Sequence, residues 1–247
     1  TYSISSMDLN IYLSTNNGTN WTPINYGLPL DFNYHFPEIK TFAINNNNIY
    51  AGSASNFAKV FWSPNNGSNW TMASNGITVE VKSLLTCGDS VIAGTNGNSC
   101  AYYSTNNGTS WSALGSGLSS LIVGAVSKNG AKIYLGTQNG VYYSPNNGSN
   151  WSAINNGLAL TINSISLNNN NIFVGTQNNG FYWSTDNGNN WNAWNYGLPA
   201  NSTIYSLAIS GQYIFAATND GIWVCNLSQI TGTTNTEDIV DDSITSV

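Results

Sequence analysis

The chain has 247 residues and very little charge: five lysines, no arginine, one histidine and 11 acidic residues, for a net charge of −6. So few cations exclude nucleic acid and anionic membrane surfaces as partners, because both demand clustered Lys and Arg. No apolar run approaches the ~18 residues of a spanning helix, which excludes membrane insertion, and no signal peptide is present, so that Thr1 reads as the start of a mature or trimmed chain.

From the N-terminus, Tyr2–Ser5 reads as a short strand and Ile11–Leu13 as another. An octapeptide follows, with Ser14, Asn16, Gly18 and Trp21 at its first, third, fifth and eighth places. It recurs four times: Ser63, Asn65, Gly67, Trp70; Ser104, Asn106, Gly108, Trp111; Ser144, Asn146, Gly148, Trp151; and Ser184, Asp186, Gly188, Trp191. The tryptophans are 49, 41, 40 and 40 residues apart. Short aromatic runs precede the later copies at Val60–Trp62, Ala101–Tyr103, Val141–Tyr143 and Phe181–Trp183. Before those come runs such as Ile133–Thr137 and Ile172–Thr176, and alternating runs such as Ile162–Leu167 follow each copy. β-Branched and aromatic runs split by Gly, Asn and Pro predict strands joined by tight turns. Four short strands per ~40 residues predict the blades of a β-propeller.

The octapeptide predicts a hairpin lock between the third and fourth strands of a blade. Its third residue can fold a side-chain oxygen onto backbone N–H groups, its glycine supplies a conformation that other residues resist, and its tryptophan can pack over the turn. The first blade lacks an innermost strand and four full blades follow. The last unit has three strands, Ile204–Ile209, Tyr213–Thr218 and Ile222–Cys225, and no octapeptide. This gives an all-β fold of about five to six four-stranded antiparallel blades over residues 1–228. Residues 229–247, acidic and Thr-rich, read as a linker or tail.

The pattern Ser-x-Asp/Asn-x-Gly-x-x-Trp resembles the Asp-box, or BNR, repeat. That repeat occurs in sialidases, some xyloglucan hydrolases, sortilin-type receptors and photosystem assembly factors. The resemblance implies the sialidase-like propeller fold but not one activity, because unrelated activities share the repeat. The run Gly221–Ser228 followed by an acidic stretch is similar to Bacteroidota propellers exported by the type IX system. It implies a secreted or cell-surface chain from which a sorting domain has been removed, with the secretion machinery as a partner. Asp89-Ser90-Val91 and Asp242-Ser243-Ile244 resemble the short O-glycosylation motif of that phylum, making Ser90 and Ser243 candidate modification sites.

A sialidase of this family holds its substrate carboxylate with three arginines, and lysine does not replace their bidentate geometry; this chain has none. His35 is the lone histidine, and no nucleophile elbow, phosphate loop or metal-ligand cluster is visible, so no cofactor and no metal are expected. A carboxylate-only glycosidase needs two acids about 5–10 Å apart. Asp8, Asp31, Glu38, Glu80, Asp89, Asp186 and Asp220 are the acids of the propeller region. Asp186 is used by an octapeptide, and Asp89 and Asp220 lie in turns. Asp31, Glu38 and Glu80 remain, in connections from fourth to first strands.

Between Gly27 and Thr41 one such connection is lengthened. Its Asp31, Phe32, Tyr34, His35, Phe36 and Glu38 are the candidate ligand-binding residues, aromatics for stacking and acids for polar contact. The favoured function is a non-catalytic interaction or structural module that binds a glycan or protein, with self-assembly through blade edges as a further prospect. A glycoside hydrolase and an assembly factor or receptor-like propeller are the alternatives. Cys87 and Cys100 should flank one strand of about 17 Å, too far apart for a disulfide, whose Cα atoms must lie within about 7 Å.

Overall fold

A computed structural model describes residues 11–32, 35–54, 59–97, 99–114, 117–118 and 121–231. The expected strand Tyr2–Ser5, Asp8, Tyr34, Ser243 and residues 232–247 of the expected tail lie outside the described residues. The chain divides into two compact units, Thr1–Leu114 and Gly115–Val247.

Unit 1 begins with an antiparallel pair, β1 (Tyr12–Leu13) and β2 (Thr22–Pro23). Two four-stranded antiparallel blades follow. The first contains β3 (Ile39–Asn45), β4 (Asn48–Ser53), β5 (Val60–Ser63) and β6 (Thr71–Met72). The second contains β7 (Val81–Cys87), β8 (Ser90–Thr95), β9 (Ala101–Ser104) and β10 (Ser112–Ala113). Cys87 and Cys100 thus stand at opposite ends of β8, and Ser90 opens that strand half-buried.

Unit 2 repeats the plan. One blade has β11 (Val123–Asn129), β12 (Lys132–Thr137), β13 (Gly140–Ser144) and β14 (Ser152–Ala153). The next has β15 (Ile162–Asn168), β16 (Asn171–Thr176), β17 (Phe181–Ser184) and β18 (Asn192–Ala193). A three-stranded sheet of β19 (Ile204–Ser210), β20 (Tyr213–Thr218) and β21 (Gly221–Asn226) ends the repeat, followed by a single helical turn, α1 (Leu227–Thr231). The architecture is a β-propeller of about five to six blades.

The second strands β4, β8, β12 and β16 are the most buried, each a near-continuous run of covered residues such as Ile172–Val174, as expected of strands covered on both faces. First strands of successive blades lie side by side: β3 by β7, β11 by β15, and β15 by β19. Every first strand carries a bulge after its first residue, at Lys40, Lys82, Gly124, Asn163 and Tyr205. An extra residue there bends the strand and re-aims a side chain at the same end of every blade.

A helical turn, α1, spans residue 228, where the propeller was expected to end. Asn226 Oδ1 accepts both the N–H and the hydroxyl of Ser228, capping the turn. Leu227 and Ile230, three residues apart on one helical face, are both buried in the cluster around Phe181, Ile204 and Ile214. Ile230 belongs to the core rather than to a linker.

Candidate functional site

The five octapeptides share one hydrogen-bond pattern. The Ser hydroxyl donates to the third residue's Oδ1 at 2.8–3.0 Å. The same Ser oxygen accepts the glycine N–H at 2.8–2.9 Å. Oδ1 also accepts the N–H four residues further on, that of Asn20, Asn69, Ser110, Asn150 or Asn190, at 2.9–3.1 Å. The fourth residue, always Asn, was missed as a structural position by the sequence reading. Asn17, Asn66, Asn107, Asn147 and Asn187 have φ of 54–59°, and the following glycines 80–88°. Two consecutive positive φ angles are what a type I′ turn requires, so the Asn-Gly dipeptide was the available signal.

The tryptophan stands beside its own turn's glycine in the first and third copies, and in the second, third and fifth copies it also docks on the preceding blade. Trp70 donates its indole N–H to the Ile24 carbonyl and its backbone N–H to the Tyr26 carbonyl, at 2.7 and 2.9 Å. Trp111 does the same to Ala73 and Asn75, and the Trp191 indole to Ile154. The acceptors stand three and five residues after the previous tryptophan, so the second, third and fifth octapeptides each staple two blades. Trp151 is buried, but its indole N–H has no partner among the described residues. Trp21 precedes every other copy and is 61% exposed.

In the fifth copy Asp186 replaces asparagine. The Asn190 side chain first, then the Asn190 backbone N–H and the Ser184 hydroxyl, hold its carboxyl below the usual carboxylate range. A group with a lowered folded pKa contributes stability above its unfolded pKa of about 4 and loses it as pH falls through the folded value. The difference in melting temperature between wild type and Asp186→Asn is therefore expected to change as pH falls from 5 to 2, with wild type losing the more. Melts at a series of pH values check this, and a pH-independent difference would contradict it.

The lengthened connection is pinned at its base. The Asp31 N–H donates to the His35 carbonyl at 2.9 Å and the His35 N–H to Asp31 Oδ1 at 2.8 Å. His35 Nδ1 lies 3.5 Å from Asp31 Oδ2. Of the aromatics expected to form a binding surface, Phe36 turns inward onto the cluster containing Ile11, Leu28 and Trp70. Phe32 is 95% exposed, and Tyr26 and Leu30 of the same connection are exposed with it. The structure thus splits the candidate set into a packed half and a presented half.

The candidate carboxylates are each occupied locally. Glu38 pairs with Lys40, and Glu80 with Lys82 at 3.0 Å and with the Asn96 amide at 2.8 Å. Both are Glu-x-Lys at the bulge of a first strand, in adjacent blades of unit 1; unit 2 has Ile122, Thr161 and Thr203 at the glutamate position. Among the described residues no group of three or more His, Cys, Asp or Glu could hold a metal ion, and no helix is long and apolar enough to cross a membrane.

The family model for the DUF6242 beta propeller domain matches residues 58–214, more than half of the chain. The chain belongs to that family. No curated protein matches the DUF6242 chain. Among solved structures it is similar to YCF48 bound to D1 peptide, with a TM-score of 0.63 and 13% identity over 85% of this chain and 69% of that one. An ancestral GH74 enzyme aligns at a TM-score of 0.67 and 20% identity, over 89% of this chain and 34% of the enzyme. The extracellular domain of BT4673 from B. thetaiotaomicron aligns at 0.64 and 17%, over 92% and 34%. Identities this low establish the fold alone, and the chain spans only about a third of the last two.

Unit 2 of the DUF6242 chain also carries a shallow apolar groove beside β21, lined by Trp194, Tyr196, Leu198, Trp223 and Ile230 among others. Cys225 sits in its wall, its thiol pushed up by burial. Composition and spacing did not single out this groove.

Proposed function

We propose that the chain is a non-catalytic extracellular module that binds a protein partner through the lengthened connection ahead of β3. The observation that carries the reading is Phe32, 95% exposed and next to a pinned base. A phenyl ring held in water is ready for burial, and loops on rigid scaffolds carry function more often than the scaffold does. Tyr26 and Leu30 extend the apolar patch.

A protein partner is favoured over a glycan because the polar groups that would hold a sugar's edge are already engaged. Asp31 is tied to His35 and Glu38 to Lys40. The same local pairing weighs against a carboxylate-only hydrolase, and the lack of arginine against a sialidase. The solved YCF48 complex with D1 peptide supports a peptide-binding use of this fold. An extracellular setting is supported by the Asp-box-like octapeptides and by the BT4673 extracellular domain. Export by the type IX system is the corresponding route.

The test is a peptide-display selection run beside a polysaccharide array, with wild type and Phe32→Ala. Peptides whose affinity falls about tenfold or more in the variant are expected, as for an interface hot spot. Glycan binding lost in the variant would transfer the site to sugars, and binding that ignores Phe32 would remove the loop from the function. Turnover of any polysaccharide would overturn the non-catalytic reading.

A further inference from the structure

The chain contains 11 Asn-Gly pairs. In such a pair the glycine nitrogen can lose its proton and attack the asparagine side-chain carbonyl, since glycine has no Cβ to hinder the approach. The N–Cγ bond forms, the Cγ–Nδ2 bond breaks, and the nitrogen leaves as ammonia. Water then opens the cyclic imide at either carbonyl. One product is aspartate, and the other is isoaspartate, whose main chain runs through the side-chain carbon. The reaction needs a glycine N–H that no acceptor holds and a carboxamide able to turn onto it.

The fold withholds one or the other from most of these pairs. In the five octapeptides the Ser Oγ holds the glycine N–H at 2.8–2.9 Å. The Ser202 carbonyl holds the Gly180 N–H at 2.9 Å. Gly140 is buried, opposite Thr137 in the β12–β13 ladder. The side-chain amides of Asn96, Asn129 and Asn156 donate to Glu80 Oε2, the Asn169 carbonyl and the Asn189 carbonyl, at 2.8, 2.9 and 3.0 Å. Asn75-Gly76 differs from all of these. Both residues are exposed, and among the described residues neither the Asn75 carboxamide nor the Gly76 N–H has a hydrogen-bond partner. Asn156-Gly157 is its match in unit 2, because each asparagine stands five residues after an octapeptide tryptophan. Each turn is closed alike, by the Ile77 N–H on the Ser74 carbonyl at 2.8 Å and by the Leu158 N–H on the Asn155 carbonyl at 2.7 Å. The tie on the carboxamide separates the two.

We infer that Asn75 is a self-modification site of the folded chain, where Asn75-Gly76 closes to the imide and ages to aspartate and isoaspartate ahead of the other Asn-Gly pairs. Water is the sole co-reactant. The position gives the change a structural consequence inside unit 1. The Asn75 carbonyl accepts the Trp111 backbone N–H at 2.9 Å, and the Ala73 carbonyl accepts its indole N–H at 2.7 Å. Isoaspartate at position 75 lengthens the main chain by one carbon within that dock. The carbonyl shifts off the Trp111 N–H, and the third octapeptide loosens from the connection it staples. The site is separate from the Phe32 connection and does not depend on it.

The test is peptide mapping by mass spectrometry of the whole folded chain, incubated at pH 9 and sampled over days beside a second sample in urea. Asn75 is expected to convert about tenfold faster than Asn156 or any octapeptide asparagine, the rate factor of one to two net hydrogen bonds. In urea the pairs should convert at similar rates, because the fold no longer distinguishes them. Equal rates in the folded chain, or conversion led by another pair, overturn the assignment. Ser104→Ala releases the Gly108 N–H and should raise conversion at Asn107; an unchanged rate there would overturn the protecting role of the octapeptide serine. Hydrogen exchange at the Trp111 amide reads the consequence. The isoaspartate fraction, separated by ion exchange, should exchange faster than the variant Asn75→Asp, which carries the same charge on a main chain of normal length. Equal exchange in the two would overturn the loosening.

Discussion

Trp70→Ala is expected to destabilise unit 1 by about 3–5 kcal/mol, the range for removing a buried aromatic side chain, while Trp21→Ala at the same octapeptide position should cost no more than about 0.5 kcal/mol. The difference lies in what each ring touches. Trp70 is 2% exposed, packs on Ile11, Leu28 and Phe61, and satisfies the Ile24 carbonyl. Its loss leaves a cavity between two sheets and a carbonyl without its donor. Trp21 stands 61% exposed. Trp70→Phe should fall between them, because it restores most of the packing but not the indole N–H, whose loss costs about 1–3 kcal/mol at a buried acceptor. Urea unfolding of the three variants, followed by hydrogen exchange at unit 1 amides, measures this. Equal losses for Trp70→Ala and Trp21→Ala would mean that the tryptophans do not staple blades.

Gly27→Ala is expected to cost more than about 3 kcal/mol, against about 1 kcal/mol for Gly88→Ala. Both glycines have positive φ, +92° and +61°. At Gly88 nothing lies within 4 Å of an added methyl group, so only the backbone conformation is penalised. At Gly27 the methyl carbon would lie 2.6 Å from Asn69 Oδ1 and closer still to the Trp70 carbonyl oxygen. The latter is backbone and cannot swing away. The substitution must therefore push the second octapeptide off the connection on which Trp70 docks, so strain and lost packing add. Thermal melts of the two variants decide it, and similar shifts would show that the seam yields easily.

Much of this organisation was legible in the chain alone. The 40-residue recurrence of Ser, Asn or Asp, Gly and Trp marks the third-to-fourth-strand hairpin because its hydrogen bonds are local, closing within four residues. The aromatic and β-branched runs marked the strands for the same reason: period and turn chemistry act over a few residues. The lengthened connection was visible as an interruption of the repeat. Which of its aromatics would be presented was not, because Phe32 and Phe36 are chemically alike and differ only in what surrounds them.

The sequence by itself determined the blade as a unit, the number of strands in each, and the hairpin locks, all set by contacts within about 40 residues. Only the tertiary structure decided where the tryptophans go. Trp70 and Ile24 are 46 residues apart, and no local pattern says that an indole will bond to the previous blade. The same holds for Ile230, which reads as tail in sequence but fills a core position because a capped helical turn folds it back. It holds above all for the groove beside β21, whose walls come from Phe181 and Trp194 on one side and Trp223 on the other. Such a groove exists only where two sheets face each other, and the packing of one blade on the next creates that face.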